Sequence, residues 1–135
     1  PMAHKKPTTE PSIKVSMTPQ EANIHATIFG GVILSYMDLA GAVQARREGC
    51  ERCVTIAMKE VTFKQPVFMG DIVSFYTETK HIGRTSITVL VHVWAERFRP
   101  IGETLWVTEG EVTYVNVNDD RTPKEIPRRA PPATA

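Results

Sequence analysis

The chain has almost no excess of charge of either sign. It contains 16 lysines and arginines against 15 aspartates and glutamates, which gives a formal net charge of +1. A charge this close to zero provides no long-range attraction to nucleic acid, so we predict no nucleic-acid partner. The 135 residues are 41% hydrophobic and 23% charged, a composition typical of one globular domain.

The sequence also lacks a long uncharged apolar run. Its longest apolar stretch, residues 28–45, is interrupted by Asp38 and Gln44. A carboxylate at the centre of a bilayer costs about 2.5–3.5 kcal/mol on insertion scales, so we predict a helix buried in protein and no membrane association. The residues before Ile13 lack the apolar core of a secretory signal, and the expected location is therefore the cytoplasm.

Cysteine is scarce, and the two residues present, Cys50 and Cys53, are spaced C-x-x-C. A redox pair or half of a zinc site would have this spacing. A structural zinc ion needs four ligands, however, and the sequence has no second cysteine pair and no closely spaced histidine pair. We therefore predict two reduced thiols, no metal and no separate cofactor.

Apolar residues are rare at both ends of the chain. Residues 1–12 contain three prolines and two lysines, and residues 119–135 contain four prolines and three arginines. Segments of this composition bury too little surface to offset the entropy lost on ordering. The predicted organisation is a flexible tail over residues 1–12, one folded domain over residues 13–118 and a second flexible tail over residues 119–135.

One long helix precedes a series of strands. Residues 29–48 are apolar on nearly all sides of a helix and are followed by Gly49, a common helix-ending residue. Segments rich in β-branched and aromatic residues cover 54–63, 71–82, 85–97 and 103–117, with a further candidate strand at 13–17. Short connections make the later strands antiparallel. Because a helix that is apolar all round must be enclosed, we predict an α+β fold with a curved antiparallel sheet wrapped around one long central helix.

Several motifs in sequence order resemble those of the hotdog-fold acyl-CoA thioesterases, in particular the YciA-like bacterial enzymes and related cytosolic acyl-CoA hydrolases. The motifs are Asn23-Ile24-His25-Ala26-Thr27-Ile28-Phe29-Gly30-Gly31, Ser35-Tyr36-Met37-Asp38-Leu39-Ala40-Gly41-Ala42, Val61-Thr62-Phe63 through Pro66 to Gly70-Asp71, and Gly83-Arg84-Thr85-Ser86. The resemblance covers residues 13–117. It implies a hotdog fold, an acyl-CoA substrate and a homodimer with active sites at the interface, and it favours a hexamer made of three dimers.

The resemblance also implies which residues are catalytic. The functional asparagine and aspartate of the family match Asn23 and Asp38, and they would come from opposite protomers at each site. Many relatives carry a glycine in the loop where this chain has His25-Ala26-Thr27, which is a departure from the family pattern.

These residue types suit the hydrolysis of a thioester. Gly30 and Gly31 at a helix start offer free backbone N–H groups that can act as an oxyanion hole. Asp38 can serve as a general base on water or as a nucleophile, and the sequence leaves both roles open. Asn23 can orient the water or donate to the carbonyl, although an asparagine here is also an ordinary turn residue.

A second group of residues is predicted to contact the substrate. The resemblance makes the turn Gly83-Arg84-Thr85-Ser86 a coenzyme A contact, with Arg84 meeting phosphate. The remaining predicted substrate contacts are His25, Phe29 and Lys64.

Two other functions compete with hydrolysis. A hotdog hydratase or dehydratase would usually pair a histidine with an acidic residue in a different motif, which the arrangement of Asn23, Gly30-Gly31 and Asp38 fits poorly. A non-catalytic acyl-CoA-binding sensor would typically carry a DNA-binding helix pair, and the sequence contains none.

Overall fold

A computed structural model describes residues 4–127 of the chain. The remainder of the two predicted tails, residues 1–3 and 128–135, lies outside the described residues. The elements are β1 (Ile13–Ser16), a 3₁₀ turn (Pro19–Glu21), α1 (Gly30–Arg47), β2 (Cys53–Lys59), β3 (Ile72–Ile82), β4 (Ser86–Glu96) and β5 (Thr104–Asn116). The helix therefore begins one residue later and ends one residue earlier than predicted.

The five strands form one sheet in the order β1-β3-β4-β5-β2, and every neighbouring pair is antiparallel. The longest ladders join β3 to β4 and β4 to β5, as their short connections lead us to expect. Strand β2 comes directly after the helix but lies at the far edge, next to β5. This order confirms the predicted antiparallel sheet.

The helix packs on the inner face of the sheet and contacts β2, β3, β4 and β5. Alternate residues of β4 face the helix and are fully buried; they are Ile87, Val89, Val91 and Val93. On the helix, Ile33, Met37 and Ala40 are buried against them. Full burial of one such aliphatic side chain contributes about 1.5–3 kcal/mol, so this inner layer dominates the stability of the domain.

The helix ends where the sequence predicts. Gly49 has a φ of +105°, its amide donates to the carbonyl of Arg46, and the amide of Cys50 donates to that of Ala45. These two bonds are the Schellman arrangement, which glycine favours because it alone adopts this φ without strain. Within residues 4–127, no helix combines the length and the apolar character needed to cross a membrane.

Strand β2 is shorter than predicted. The sequence predicts a strand to Phe63, but β2 ends at Lys59 because Glu60 adopts a φ of +62°. The chain then crosses Gly110 so closely that a Cβ there would lie 2.6 Å from Cγ2 of Val61. Residues 60–64 therefore leave the regular sheet and turn toward the start of α1.

Contacts with the folded domain extend beyond the predicted boundaries at residues 12 and 118. Ile126 is 7% exposed and packs in the hydrophobic core, and its amide donates to the carbonyl of Arg84. At the other end, the His4 ring stacks on Trp106 with the ring centroids 3.5 Å apart. The described parts of both predicted tails are thus attached to the domain, each by an apolar or aromatic residue in a polar segment.

Candidate active site

The loop before α1 is organised by the side chain of Asn23. Its Oδ1 accepts hydrogen bonds from the backbone amides of His25 (2.8 Å) and Thr27 (3.2 Å), and its Nδ2 donates to the Thr27 hydroxyl at 2.7 Å. A side chain that bonds its own following backbone is the usual behaviour of asparagine in a turn. In one protomer, Asn23 therefore shapes the loop, while the His25 side chain is exposed.

Ala26 adopts a left-handed backbone conformation in this loop. It has a φ of +64°, in the left-handed region that glycine adopts without strain and alanine adopts at a cost of about 1–2 kcal/mol. The hydrogen bonds of Asn23 hold the loop in this conformation.

A buried ion pair stabilises the segment that contacts the loop before α1. The Arg97 guanidinium donates to the Asp71 carboxylate, and both side chains are almost fully buried. Asp71 also accepts from the amide of Phe68 at 2.9 Å, and Thr27 forms a β-bridge with Phe68. The pair therefore fixes the segment against which residues 27 and 28 rest.

Gly30 and Gly31 form the exposed N-terminus of α1. The residue before them, Phe29, is half-exposed and provides no side-chain cap for the helix amides. A Cβ at Gly31 would meet nothing within 4 Å, so the space beside it is open. The amides of Gly30 and Gly31 lie at the positive end of an 18-residue helix, where N–H groups without intrahelical partners can bind an anionic oxygen.

A cavity of about 340 Å³ opens beside Gly30. Its lining residues are Thr27, Ile28, Gly30, Ile33, Phe63, Lys64, Gln65, Pro66 and Val67. Two of the predicted site residues, Gly30 and Lys64, therefore line one cavity at this end of the helix.

Asp38 lies two turns further along α1 and is held by two residues of the sheet. The Thr55 hydroxyl donates to its Oδ1 at 2.7 Å, and the Tyr114 hydroxyl donates to its backbone carbonyl at 2.6 Å. Within residues 4–127, no hydrogen bond reaches the other carboxylate oxygen, Oδ2. The carboxylate is therefore oriented at one oxygen and available at the other.

Tyr114 can reach the helix because Gly41 has no side chain. A Cβ at Gly41 would overlap the Tyr114 hydroxyl, and the ring atoms Cζ and Cε2 would lie 3.1 and 3.2 Å from it. Burial, and next the negative charge of Asp38, raise the pKa of Tyr114 above its usual range. The phenol therefore stays protonated and remains a donor to the helix.

The predicted coenzyme A turn lies at the opposite end of the helix. Ile126, whose amide bonds the carbonyl of Arg84, also contacts Gly49 just beyond the last turn of α1. An 18-residue helix is about 27 Å long, so within one chain residues 83–86 do not meet Gly30 and Gly31. The Arg84 guanidinium lies 3.6 Å from the Glu125 carboxylate, and both side chains are exposed.

Cys50 and Cys53 are free thiols whose sulfurs lie 2.9 Å apart. Burial is the main cause that raises the pKa of both thiols, that of Cys50 to about 12. A protonated thiol is a poor nucleophile and a poor metal ligand. Within residues 4–127, no group of three or more His, Cys, Asp or Glu side chains is placed to hold a metal ion.

We expect the double substitution Cys50→Ser and Cys53→Ser to keep wild-type turnover, because the hydrogen bonds of the two thiols are to each other and to the Cys50 carbonyl, and not to Asp38, Gly30 or Gly31. Thiol release from acyl-CoA by the purified variant measures this. Metal analysis of the wild-type protein is the control and should find no stoichiometric zinc. Zinc near one ion per chain that disappears with the substitutions would contradict the prediction.

The arrangement of one helix on a curled antiparallel sheet matches a known family. The sequence model of the thioesterase superfamily matches residues 25–99, and the acyl-CoA thioester hydrolase YciA of Salmonella typhimurium is 34% identical over 123 residues, covering 90% of this chain and 92% of that protein. The chain belongs to the thioesterase superfamily. An uncharacterised acyl-CoA thioester hydrolase of Haemophilus influenzae is 38% identical over 112 residues, covering 82% of this chain and 73% of that protein.

Solved thioesterase structures share the fold. A hexameric hotdog-fold thioesterase of Campylobacter jejuni superimposes with a TM-score of 0.83 and 45% identity, covering 88% of this chain and 91% of that chain. A hexameric broad-specificity acyl-coenzyme A thioesterase superimposes with a TM-score of 0.86 and 33% identity, covering 92% of this chain and 85% of that chain. The hotdog fold expected from the sequence motifs is confirmed.

Three residues of this site were not identified from the sequence. Thr55 and Tyr114 orient Asp38 but stand in strands, where threonine and tyrosine are ordinary residues. Phe63 lines the cavity because β2 ends early, and no glycine or proline marks that break. The pairing of Tyr114 with Gly41 was the one available signal, since a glycine inside a helix often marks a close approach.

Proposed function

We propose that the chain is an acyl-CoA thioester hydrolase that works as a homodimer, with each active site built from Asp38 of one protomer and the α1 N-terminus of the other. Membership of the thioesterase superfamily supports the reaction class. The observation that carries the shared site is the spacing of Asp38 and Gly31 on one helix.

Asp38 follows Gly31 by seven positions, which places it about 10 Å further along the helix axis on nearly the same face. The attacking oxygen and the oxyanion donors must both approach one thioester carbonyl within about 3 Å. One helix cannot place its own carboxylate and its own N-terminal amides on the same carbonyl. A second helix running in the opposite direction can supply the missing group.

The edge strand β2 offers a surface for such a partner. Within residues 4–127, β2 has a strand neighbour on one side only, β5. Ile56 of β2 is 58% exposed and Leu39 of α1 is 56% exposed. An apolar edge strand is a site for pairing with another chain. Antiparallel pairing of two β2 strands about a two-fold axis would reverse the direction of the second helix. Hexameric relatives support a further assembly of three such dimers.

The residues of the site suit water attack on a thioester. The amides of Gly30 and Gly31 donate hydrogen bonds to the carbonyl oxygen as negative charge develops on it. Oδ2 of Asp38 takes a proton from water as the water oxygen bonds to the carbonyl carbon, while Thr55 holds Oδ1. Collapse of the intermediate breaks the C–S bond, and the proton passes to the departing thiolate to give CoA and a free acid. Attack by Asp38 itself, through a mixed anhydride, uses the same groups.

Residues 83–86 are proposed to bind the CoA moiety. Arg84 is exposed on a turn, where a guanidinium can reach a phosphate. Because this turn lies at the C-terminal end of α1, it approaches the N-terminus of the partner's helix in the proposed dimer. Lys64, His25 and Phe29 remain proposed contacts near the thioester.

The reaction is tested by measuring thiol release from acyl-CoA alongside calorimetric binding of a non-hydrolysable acyl-CoA. We expect both binding and stoichiometric release of CoA and free acid. Binding without release would identify a sensor. Loss of enoyl-CoA absorbance without thiol release would identify a hydratase, and either result would overturn the proposed hydrolase.

A further inference from the structure

One wall of the cavity beside the α1 N-terminus differs from the others. Ile28, Ile33 and Val67 are 7%, 1% and 3% exposed, so core packing fixes their positions. Phe63, which also lines the cavity, is 42% exposed. Phe63 is therefore the large apolar lining residue that can be replaced by a smaller or larger one without disturbing the packing of the core.

The Phe63 ring stands over the first residue of the helix. The nearest atoms to a Cβ built on Gly30 would be Cε2 and Cζ of Phe63, at 3.4 and 3.6 Å. The proposed function places the thioester carbonyl at the amides of Gly30 and Gly31. An acyl chain that extends from this carbonyl into the cavity must therefore pass the ring.

The backbone on both sides of Phe63 is held by β5. The Thr62 carbonyl accepts from the Thr108 hydroxyl at 2.8 Å, and the Lys64 amide donates to the Val107 carbonyl at 2.8 Å. Neither bond involves the Phe63 side chain. Substitution of the ring should consequently leave the course of residues 62–64 unchanged.

The chemistry of the cavity identifies the part of the substrate that it takes. The nucleotide of CoA carries phosphates and the pantetheine arm carries amides, whereas a saturated acyl chain has no polar group. The inner lining of Ile28, Ile33, Pro66 and Val67 offers the acyl chain apolar surface and few polar partners. Its volume of about 340 Å³ is at the lower end of the roughly 300–1,000 Å³ found for small-molecule pockets.

We propose that Phe63 narrows the acyl cavity beside the α1 N-terminus and limits the length of the acyl chain that the site accepts, which makes short saturated acyl thioesters the preferred substrate class. The inference rests on the proposed hydrolase function and adds a specificity-determining residue to it. Phe63 acts on the acyl chain and not on the carbonyl, so its substitution should change the ranking of substrates more than the turnover of the shortest one.

The test is a series of saturated acyl-CoA substrates, from acetyl to dodecanoyl, assayed by thiol release. In the wild type, kcat/KM should rise about fourfold per buried methylene and then stop rising when the chain meets Phe63. In Phe63→Ala, the length at which the rise stops should increase by at least about two methylenes, because the missing ring leaves room for them. In Phe63→Trp, the rise should stop at a shorter length.

Phe98→Ala is the matched control, since Phe98 is similarly exposed but does not line the cavity. Its profile should match that of the wild type. Thiol release with the same chain-length profile in Phe63→Ala and Phe63→Trp would overturn the role of Phe63 and leave the hydrolase intact. Absence of thiol release from every acyl-CoA by the wild type would overturn the proposed function and this inference with it.

Discussion

Replacement of Asp38 by asparagine is expected to leave the fold intact and to lower thioester turnover by at least about a hundredfold, the scale of lost general acid–base catalysis. Asparagine keeps the side-chain volume and an oxygen that can accept the Thr55 hydroxyl hydrogen bond. It removes both the basic oxygen and the nucleophile, so the prediction holds for either mechanism. Thiol release under saturating acyl-CoA measures the effect, with the melting temperature as the check on folding.

Asp119→Asn provides the matched control, because the Asp119 side chain is 97% exposed and lies outside the cavity. Its turnover should equal that of the wild type. Near-normal turnover in a folded Asp38→Asn variant would refute Asp38 as the catalytic carboxylate. A single turnover in heavy-oxygen water tests for attack by Asp38: unlabelled acid together with label in the Asp38 carboxylate indicates a mixed anhydride that water opens at the Asp38 carbon, whereas label in the acid indicates attack by water on the acyl carbon.

The second large effect concerns mixed oligomers. Asn23→Ala and Asp38→Asn homo-oligomers should each be nearly inactive, but random reassortment of the two should restore about a quarter of wild-type activity. About half of the dimers are then mixed, and one of the two sites in each mixed dimer combines wild-type Asn23 with wild-type Asp38. The recovery is expected whether Asn23 contacts the substrate or only shapes the loop at the α1 N-terminus.

A mixture of wild type with the Asn23→Ala/Asp38→Asn double variant is the control. With shared sites, every mixed dimer is inactive, and the mixture should keep about a quarter of wild-type activity; with sites inside one chain, it should keep about half. Subunit exchange must be verified in both mixtures. The shared site would be rejected if the two single variants together recover no activity and if the wild type mixed with the double variant keeps half of the wild-type activity.

The sequence predicts those parts of the fold that local patterns determine. The helix is found within one residue at each end because Gly49 and the apolar surface on all sides of residues 29–48 are local signals. The break at Glu60 is missed since glutamate gives no sign of a positive φ, and the close passage of Val61 over Gly110 decides it. The polar composition of the chain ends likewise gives no sign of the contacts made by His4 and Ile126. The contact of His4 depends on the distant strand β5, and that of Ile126 depends on the distant turn at Arg84.

The candidate site also has one part that the local sequence predicts and another that depends on distant contacts. The loop before α1 and the helix N-terminus are close together in sequence, so the motif itself brings Asn23 near Gly30 and Gly31. The positions of Thr55 and Tyr114 around Asp38 depend on β2 and β5 lying side by side. No spacing rule gives that register, and the role of Phe63 depends on the same sheet edge.

Gly41 limits how far this helix can be made more stable. A glycine inside a helix costs about 1 kcal/mol relative to alanine, so a protein engineer would choose this position first. Here the added methyl would overlap the Tyr114 hydroxyl and displace it from the Asp38 carbonyl. Overpacking of this kind costs about 1–3 kcal/mol, which exceeds the gain in helix propensity. Gains in thermostability must therefore be sought at other positions. The glycine inside the central helix is retained at the point where the proposed catalytic carboxylate is held.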